Sequence, residues 1–214
     1  YYRKNKLIEN YFKKVSLAEK EIFGDQVIKS RNNQNILPLE LGDLKDVSFK
    51  KLNSFLKSDL YLVFGSSLIK GALLNYLVKK KAINIHMGVS PYYKGTDCNF
   101  WALYDNNYEF VGSTIHLLAK GVDNGPILYH CLSSQTQKGP FYYTMSTVKS
   151  SIDSICKLIK NKKIFNYKPV VQKKRLQIRY SRKKEFNERI LKSFSVRLKK
   201  LSFNKKNYIN PYIL

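Results

Sequence analysis

Three polar side chains in this sequence have types and spacing that suit acid–base chemistry. Asn84 and His86 stand two apart in the apolar stretch Ala82 to His86, so a strand there projects both to the same face. Asp123 sits downstream in the glycine-flanked turn Gly121-Val122-Asp123-Asn124-Gly125. An amide donor, a titratable imidazole and a carboxylate can together hold an oxyanion and move a proton. Spacing alone leaves the commoner alternative open, in which the histidine is a packing residue of a folded core. The sequence contains no GxSxG elbow, HExxH pair, Walker loop or GxGxxG turn. Cys98, Cys131 and Cys156 are 33 and 25 residues apart, which matches neither a disulfide framework nor a metal site, so they read as packing residues in a reducing compartment.

Positioning these groups is the task of the surrounding elements. Lys6 to Phe23 has apolar residues at helical spacing among charges. A polar loop around Ser30 to Asn35 precedes a second helical pattern over Val47 to Leu56. Leu60 to Phe64 is short and continuously apolar, like a buried parallel strand, and Gly65-Ser66-Ser67 ends it. A helix over Leu68 to Val78 and a strand over Ala82 to His86 complete a strand–helix–strand unit of an open sheet. Met87 to Gly95 is punctuated by Gly, Ser and Pro and reads as a long loop leaving the carboxyl end of a strand, where open sheets build their ligand crevice. A helix over Asp97 to Tyr104, capped by Thr96 or Asp97, strands over Gly112 to Leu118 and Pro126 to Leu132, and a helix over Thr144 to Ile164 follow.

The chain has 214 residues, 43% of them apolar, and carries 39 basic against 15 acidic side chains, a formal charge of +24. This supports one ordered domain with a tail, and no apolar run approaches a membrane span. Residues 171–214 hold 14 basic and 2 acidic side chains, half of the whole excess, from Lys173 through Arg197 and Lys199-Lys200 to Lys205-Lys206. Only seven of the basic residues are Arg, whose planar fork is the usual tool of specific nucleic-acid readout. A solvated or interdomain segment is therefore the favoured reading of the tail over a polyanion-binding one.

Three ordered blocks resemble the folate-dependent formyltransferases: Asn84-Ile85-His86 with the following loop containing Pro91 and Lys94-Gly95; Gly112-Ser113-Thr114-Ile115-His116; and Gly121-Val122-Asp123-Asn124-Gly125. The resemblance implies an open, mostly parallel Rossmann-like α/β sheet whose first strands lie upstream of Tyr1, with a catalytic domain over 1–165 and a basic extension over 166–214. It carries the catalytic trio over to Asn84, His86 and Asp123, with His116 as structural support. Gly65, Ser66, Leu68 and Lys70 fall on the segment that edges the pterin pocket in the family, and Val122 joins them as a folate contact. The block Lys94 to Trp101 is most similar to the sugar-acting members, which implies that Tyr92, Tyr93, Lys94, Asn99 and Trp101 serve the acceptor. Met87-Gly88-Val89-Ser90-Pro91 departs from the family's Pro-Ser-Leu-Leu-Pro. The implied reaction moves a formyl group from 10-formyltetrahydrofolate to a primary amine of a nucleotide-linked amino sugar, without metal or membrane, in a cytoplasmic protein able to form a homodimer. A methionyl-tRNA acceptor, or a nucleic-acid-binding module with a vestigial site, are the alternatives.

Overall fold

The computed structural model describes residues 5–25, 34–132 and 139–198; the sequence-derived loop at 30–33 and the basic pairs Lys199-Lys200 and Lys205-Lys206 lie outside them. Helix α1 spans Lys6–Phe23 and is capped by the Asn5 side chain, which accepts from the Leu7 and Ile8 amides. The second helical pattern condenses to one turn, α2 at Phe49–Leu52. Strand β1 is Leu62–Phe64, α3 is Gly71–Lys79 and β2 is Ile83–His86. Leu60 and Tyr61 fall outside β1, and the Tyr61 hydroxyl instead donates to the Leu56 carbonyl at 2.8 Å.

Within the expected loop, Tyr93–Gly95 forms a short strand, β3, followed by α4 at Cys98–Tyr104. Asp97 occupies the cap position of α4 without making a side-chain cap bond. Strands β4 (Gly112–Leu117) and β5 (Ile127–Leu132) precede α5, which starts at Pro140 rather than Thr144 and ends at Lys160. Proline suits a first helical turn, where its missing N–H is not needed. Strand β6 (Arg179–Ser181) and helix α6 (Glu188–Leu198) complete the described fold.

The main sheet has the order β1-β2-β4-β5. Its open α/β character is as expected, but pairing is mixed rather than mostly parallel: β1–β2 is parallel, while β2–β4 and β4–β5 are antiparallel. Residues 118–126 are too few for a crossover helix, so β5 can only return antiparallel to β4. Ile83 and Ile85 pack with Ile115, Tyr129, Cys131 and Ile155 of α5, which leaves Asn84 and His86 on the other face.

The basic segment is not a solvated tail where it is described. Gly95 pairs with Ser181, so closely that a side chain at Gly95 would stand 2.0 Å from the Ser181 carbonyl, and its φ of +95° is one that glycine adopts freely. Phe186, Leu191 and Phe194 enter the cluster around Phe100, Trp101, Tyr93 and Tyr143. Each such side chain contributes about 1.5–3 kcal/mol of apolar burial. Arg179 anchors the segment: its Nε and Nη2 donate to the Asp105 carboxylate at 2.8 Å each, and its guanidinium lies 4.4 Å from the centre of the Trp101 ring. The charge pattern concealed this because the basic residues flank the buried apolar ones. Cys98 and Cys131 are buried free thiols, raised by that burial, whereas Cys156 is exposed and does not pack as expected. No helix among the described residues is long and apolar enough to cross a membrane.

Candidate active site

The antiparallel register sets Asn84 opposite His116. His116 Nδ1 lies 2.8 Å from the Leu117 carbonyl, which can only accept, so Nδ1 carries the proton. The Nε2 lone pair is then free to accept from the Asn84 amide nitrogen, 3.0 Å away. This fixes both the histidine tautomer and the amide orientation, and it leaves a second Asn84 N–H for another acceptor. Burial, aided by the nearby His86, pulls His116 down to about 4, so it is neutral near pH 7.

His86 ends β2 with acceptors at both ring nitrogens. Nδ1 is 3.3 Å from the Asp123 carboxylate and Nε2 is 3.2 Å from the Tyr93 carbonyl. An imidazolium can donate to both, while a neutral ring keeping its proton on Nδ1 holds Asp123 and frees the Nε2 lone pair. His86 and Asp123 are 7% and 12% exposed, enough shelter to strengthen their interaction while leaving an approach.

Asp123 reaches His86 from a left-handed turn position, φ +50°, which Asp tolerates better than most residues. Its other carboxylate oxygen accepts from the Gly95 amide at 2.9 Å. The Gln172 side-chain amide donates to the carbonyls of Asp123 and Gly125 at 2.8 and 2.7 Å. Gly125 is needed because a Cβ there would stand 1.6 Å from the Leu117 carbonyl. Asn84, His86 and Asp123 therefore converge at the carboxyl end of β2, where an amide donor, an imidazole and a carboxylate can stabilise oxyanion charge and transfer a proton. Among the described residues no cluster of His, Cys, Asp and Glu could hold a metal ion.

The other sequence-derived candidates divide. Gly65, Ser66, Leu68 and Lys70 are exposed residues directly after β1, and since β1 runs parallel to β2 they lie at the same end of the sheet as His86. Val122, 37% exposed, adjoins Asp123. The acceptor set does not form one exposed wall. Tyr93 is fully buried, its hydroxyl donating to Asp105 and accepting from Asn107; Trp101 lies in the core; and Asn99 accepts from the Gly112 amide at 2.9 Å. Lys94 is buried with its ammonium on the Asn124 side chain. Tyr92 remains half-buried, stacked on Phe110 with ring centres 4.3 Å apart. The pairing of β3 with β6 and the packing of α4 enclose these side chains on both faces of the strand, which a loop reading of the segment hides. Sequence reasoning missed Gln172, which lies 49 positions beyond Asp123 and leaves no local signal. The contact of His116 with Asn84 was legible only through strand register.

A sequence profile described as formyl transferase matches residues 43–138. Among solved structures, a sugar N-formyltransferase from Shewanella sp FDAARGOS_354 superposes with TM-score 0.56 at 16% identity, covering 98% of this chain and 93% of that one. The formyltransferase PseJ from Anoxybacillus kamchatkensis, solved with UDP-4,6-dideoxy-4-formamido-L-AltNAc and tetrahydrofolate, gives TM-score 0.54 at 20% identity over 66% of this chain and 73% of its own. A 4-N formyltransferase from Francisella tularensis gives TM-score 0.53 at 18% identity over 71% of this chain and 66% of its own. At these identities the structures establish likeness of fold. No curated protein matches the sequence significantly.

Proposed function

We propose that this chain, whose residues 43–138 match the formyl transferase profile, transfers a formyl group from 10-formyltetrahydrofolate to the primary amine of a nucleotide-linked amino sugar. The observation that carries the reading is the pairing of His86 with Asp123 beside an Asn84 amide whose direction is set by His116. The sugar acceptor is supported by the fold shared with the Shewanella sugar N-formyltransferase and with the formyltransferase PseJ, which was solved with tetrahydrofolate and a formamido sugar nucleotide.

Amine attack on a formyl carbon creates an oxyanion and an ammonium, so a site must meet negative charge and remove a proton. The free Asn84 N–H donates to the oxyanion. His86 donates beside it from Nε2, or accepts the ammonium proton there, in exchange for its 3.2 Å contact with the Tyr93 carbonyl, and Asp123 at Nδ1 stabilises the charged ring and holds its orientation. Collapse of the intermediate re-forms the carbonyl, breaks the bond to the folate nitrogen and returns a proton to that nitrogen. The turn Gly65 to Lys70 and Val122 border the folate, and Tyr92 and the end of β2 border the acceptor.

The test is a competition at fixed 10-formyltetrahydrofolate between a nucleotide-linked 4-amino or 3-amino sugar and methionyl-tRNA, read by mass spectrometry. Formylation of the sugar nucleotide is expected. Formylation of the tRNA alone overturns the acceptor assignment but not the chemistry.

A further inference from the structure

A lysine with 4% of its surface exposed is unusual, because burying an ammonium is costly unless the structure uses it. Lys94 bonds the neutral Asn124 side chain rather than a carboxylate. Burial accordingly holds its ammonium below the usual lysine range, the nearby Asp123 charge opposing that effect and Lys174 adding to it. A group that reaches toward a substrate would face solvent; this one faces the turn that carries Asp123.

Three consecutive residues of β3 grip the site in order. The Tyr93 carbonyl meets His86 Nε2, the Lys94 ammonium meets Asn124, and the Gly95 amide donates to Asp123. Asn124 directly follows Asp123, so the ammonium and the Gly95 amide fix two successive residues of the turn from one strand. Gln172 fixes its carbonyls from outside, yet no bond from Gln172 reaches either the Asp123 carboxylate or the Asn124 side chain.

We propose that Lys94 is a positioning residue for formyl transfer, acting through Asn124 to keep the Asp123 carboxylate on His86 Nδ1. The role rests on the proposed formyl-transfer function only in its kinetic consequence; the clamp itself is a property of the free protein.

The experiment compares wild type with Lys94→Met, Lys94→Arg, Asn124→Leu and the Lys94→Met/Asn124→Leu double variant. With 10-formyltetrahydrofolate and the amino-sugar nucleotide, Lys94→Met lowers kcat by about tenfold or more and leaves both KM values within about twofold, as misplacement of a reacting group does. Asn124→Leu gives the same loss, the double variant loses no more than the worse single one, and Lys94→Arg recovers part of the rate. In parallel, 15N NMR of the His86 ring in the free proteins reads the bond to Asp123: Lys94→Met and Asn124→Leu shift the Nδ1 signal, and Lys94→Arg restores it toward wild type. A raised acceptor KM with unchanged kcat overturns the proposal in favour of a substrate contact, and additive losses in the double variant overturn the route through Asn124. If wild-type protein formylates no amino sugar, the function reading fails while the NMR arm still decides the clamp: an unchanged Nδ1 signal in Lys94→Met refutes it.

Discussion

Replacing Gly125 by Ala tests whether the Asp123 turn is held where chemistry needs it. The added Cβ would stand 1.6 Å from the Leu117 carbonyl oxygen and 2.7 Å from His116 Nδ1. β4 resists displacement because it is paired on both sides, with β2 and β5, and the Leu118 amide donates to Ala82 at 2.7 Å. Restoring an ordinary 3.4 Å contact therefore moves the turn by about 1.8 Å. The His86–Asp123 contact, at 3.3 Å, is already at the long end of a hydrogen bond, and half of that movement breaks it. Overpacking of this kind costs about 1–3 kcal/mol, which for a chain of this size lowers Tm by roughly 2–12 °C. Misplacing Asp123 by more than 1 Å is expected to reduce kcat by about 100-fold. Thermal unfolding followed by circular dichroism and formyl transfer followed by mass spectrometry read the two effects separately. Wild-type kcat in a variant with unchanged Tm refutes the reasoning.

His116 predicts a pH dependence of stability. Its folded value of about 4 lies below the ordinary 6.5, so between these values the unfolded chain takes up a proton that the folded chain refuses. Stability is fully present above pH 6.5 and falls by about 3 kcal/mol as pH drops to 4, with His130, also lowered by burial, adding to the loss. Urea unfolding at pH 7 and pH 4.5 should show the fall, reduced in His116→Phe; an identical fall in that variant contradicts it. Arg179→Ala removes the charged bonds to Asp105 and the stacking on Trp101, and should destabilise β6 and α6 by about 1–3 kcal/mol. Trp101 is the sole tryptophan, so its fluorescence reports the loss directly; an unchanged urea midpoint contradicts the anchoring role.

How much of this was legible in the sequence depends on how local each cause is. The α1 boundaries, Lys6–Phe23, follow from helical periodicity, and β2 differs from its expected range by one residue, because both patterns are written in adjacent side chains. The same-face placement of Asn84 and His86 needed nothing beyond the period of a strand. The antiparallel pairing of β4 and β5 depended on the length of their connection, which was visible but outweighed by the strand–helix–strand unit before it. The inward turn of Tyr93 and Lys94 had no local signal, because β3 exists by virtue of β6, some 86 residues later. Phe186, Leu191 and Phe194 were hidden among lysines and arginines in the same way: a charge count sees the exposed side of the segment and overlooks Phe186, just before α6, and the two α6 side chains that bury it.

In the proposed chemistry His86, held by Asp123 beside Asn84, carries out the proton transfer of formyl transfer. Its most direct test is His86→Ala assayed with 10-formyltetrahydrofolate and the amino-sugar nucleotide, alongside folate affinity measured by calorimetry. Loss of turnover by about 10²- to 10⁴-fold with folate affinity within twofold of wild type is the predicted result. Turnover close to wild type in His86→Ala would contradict the account.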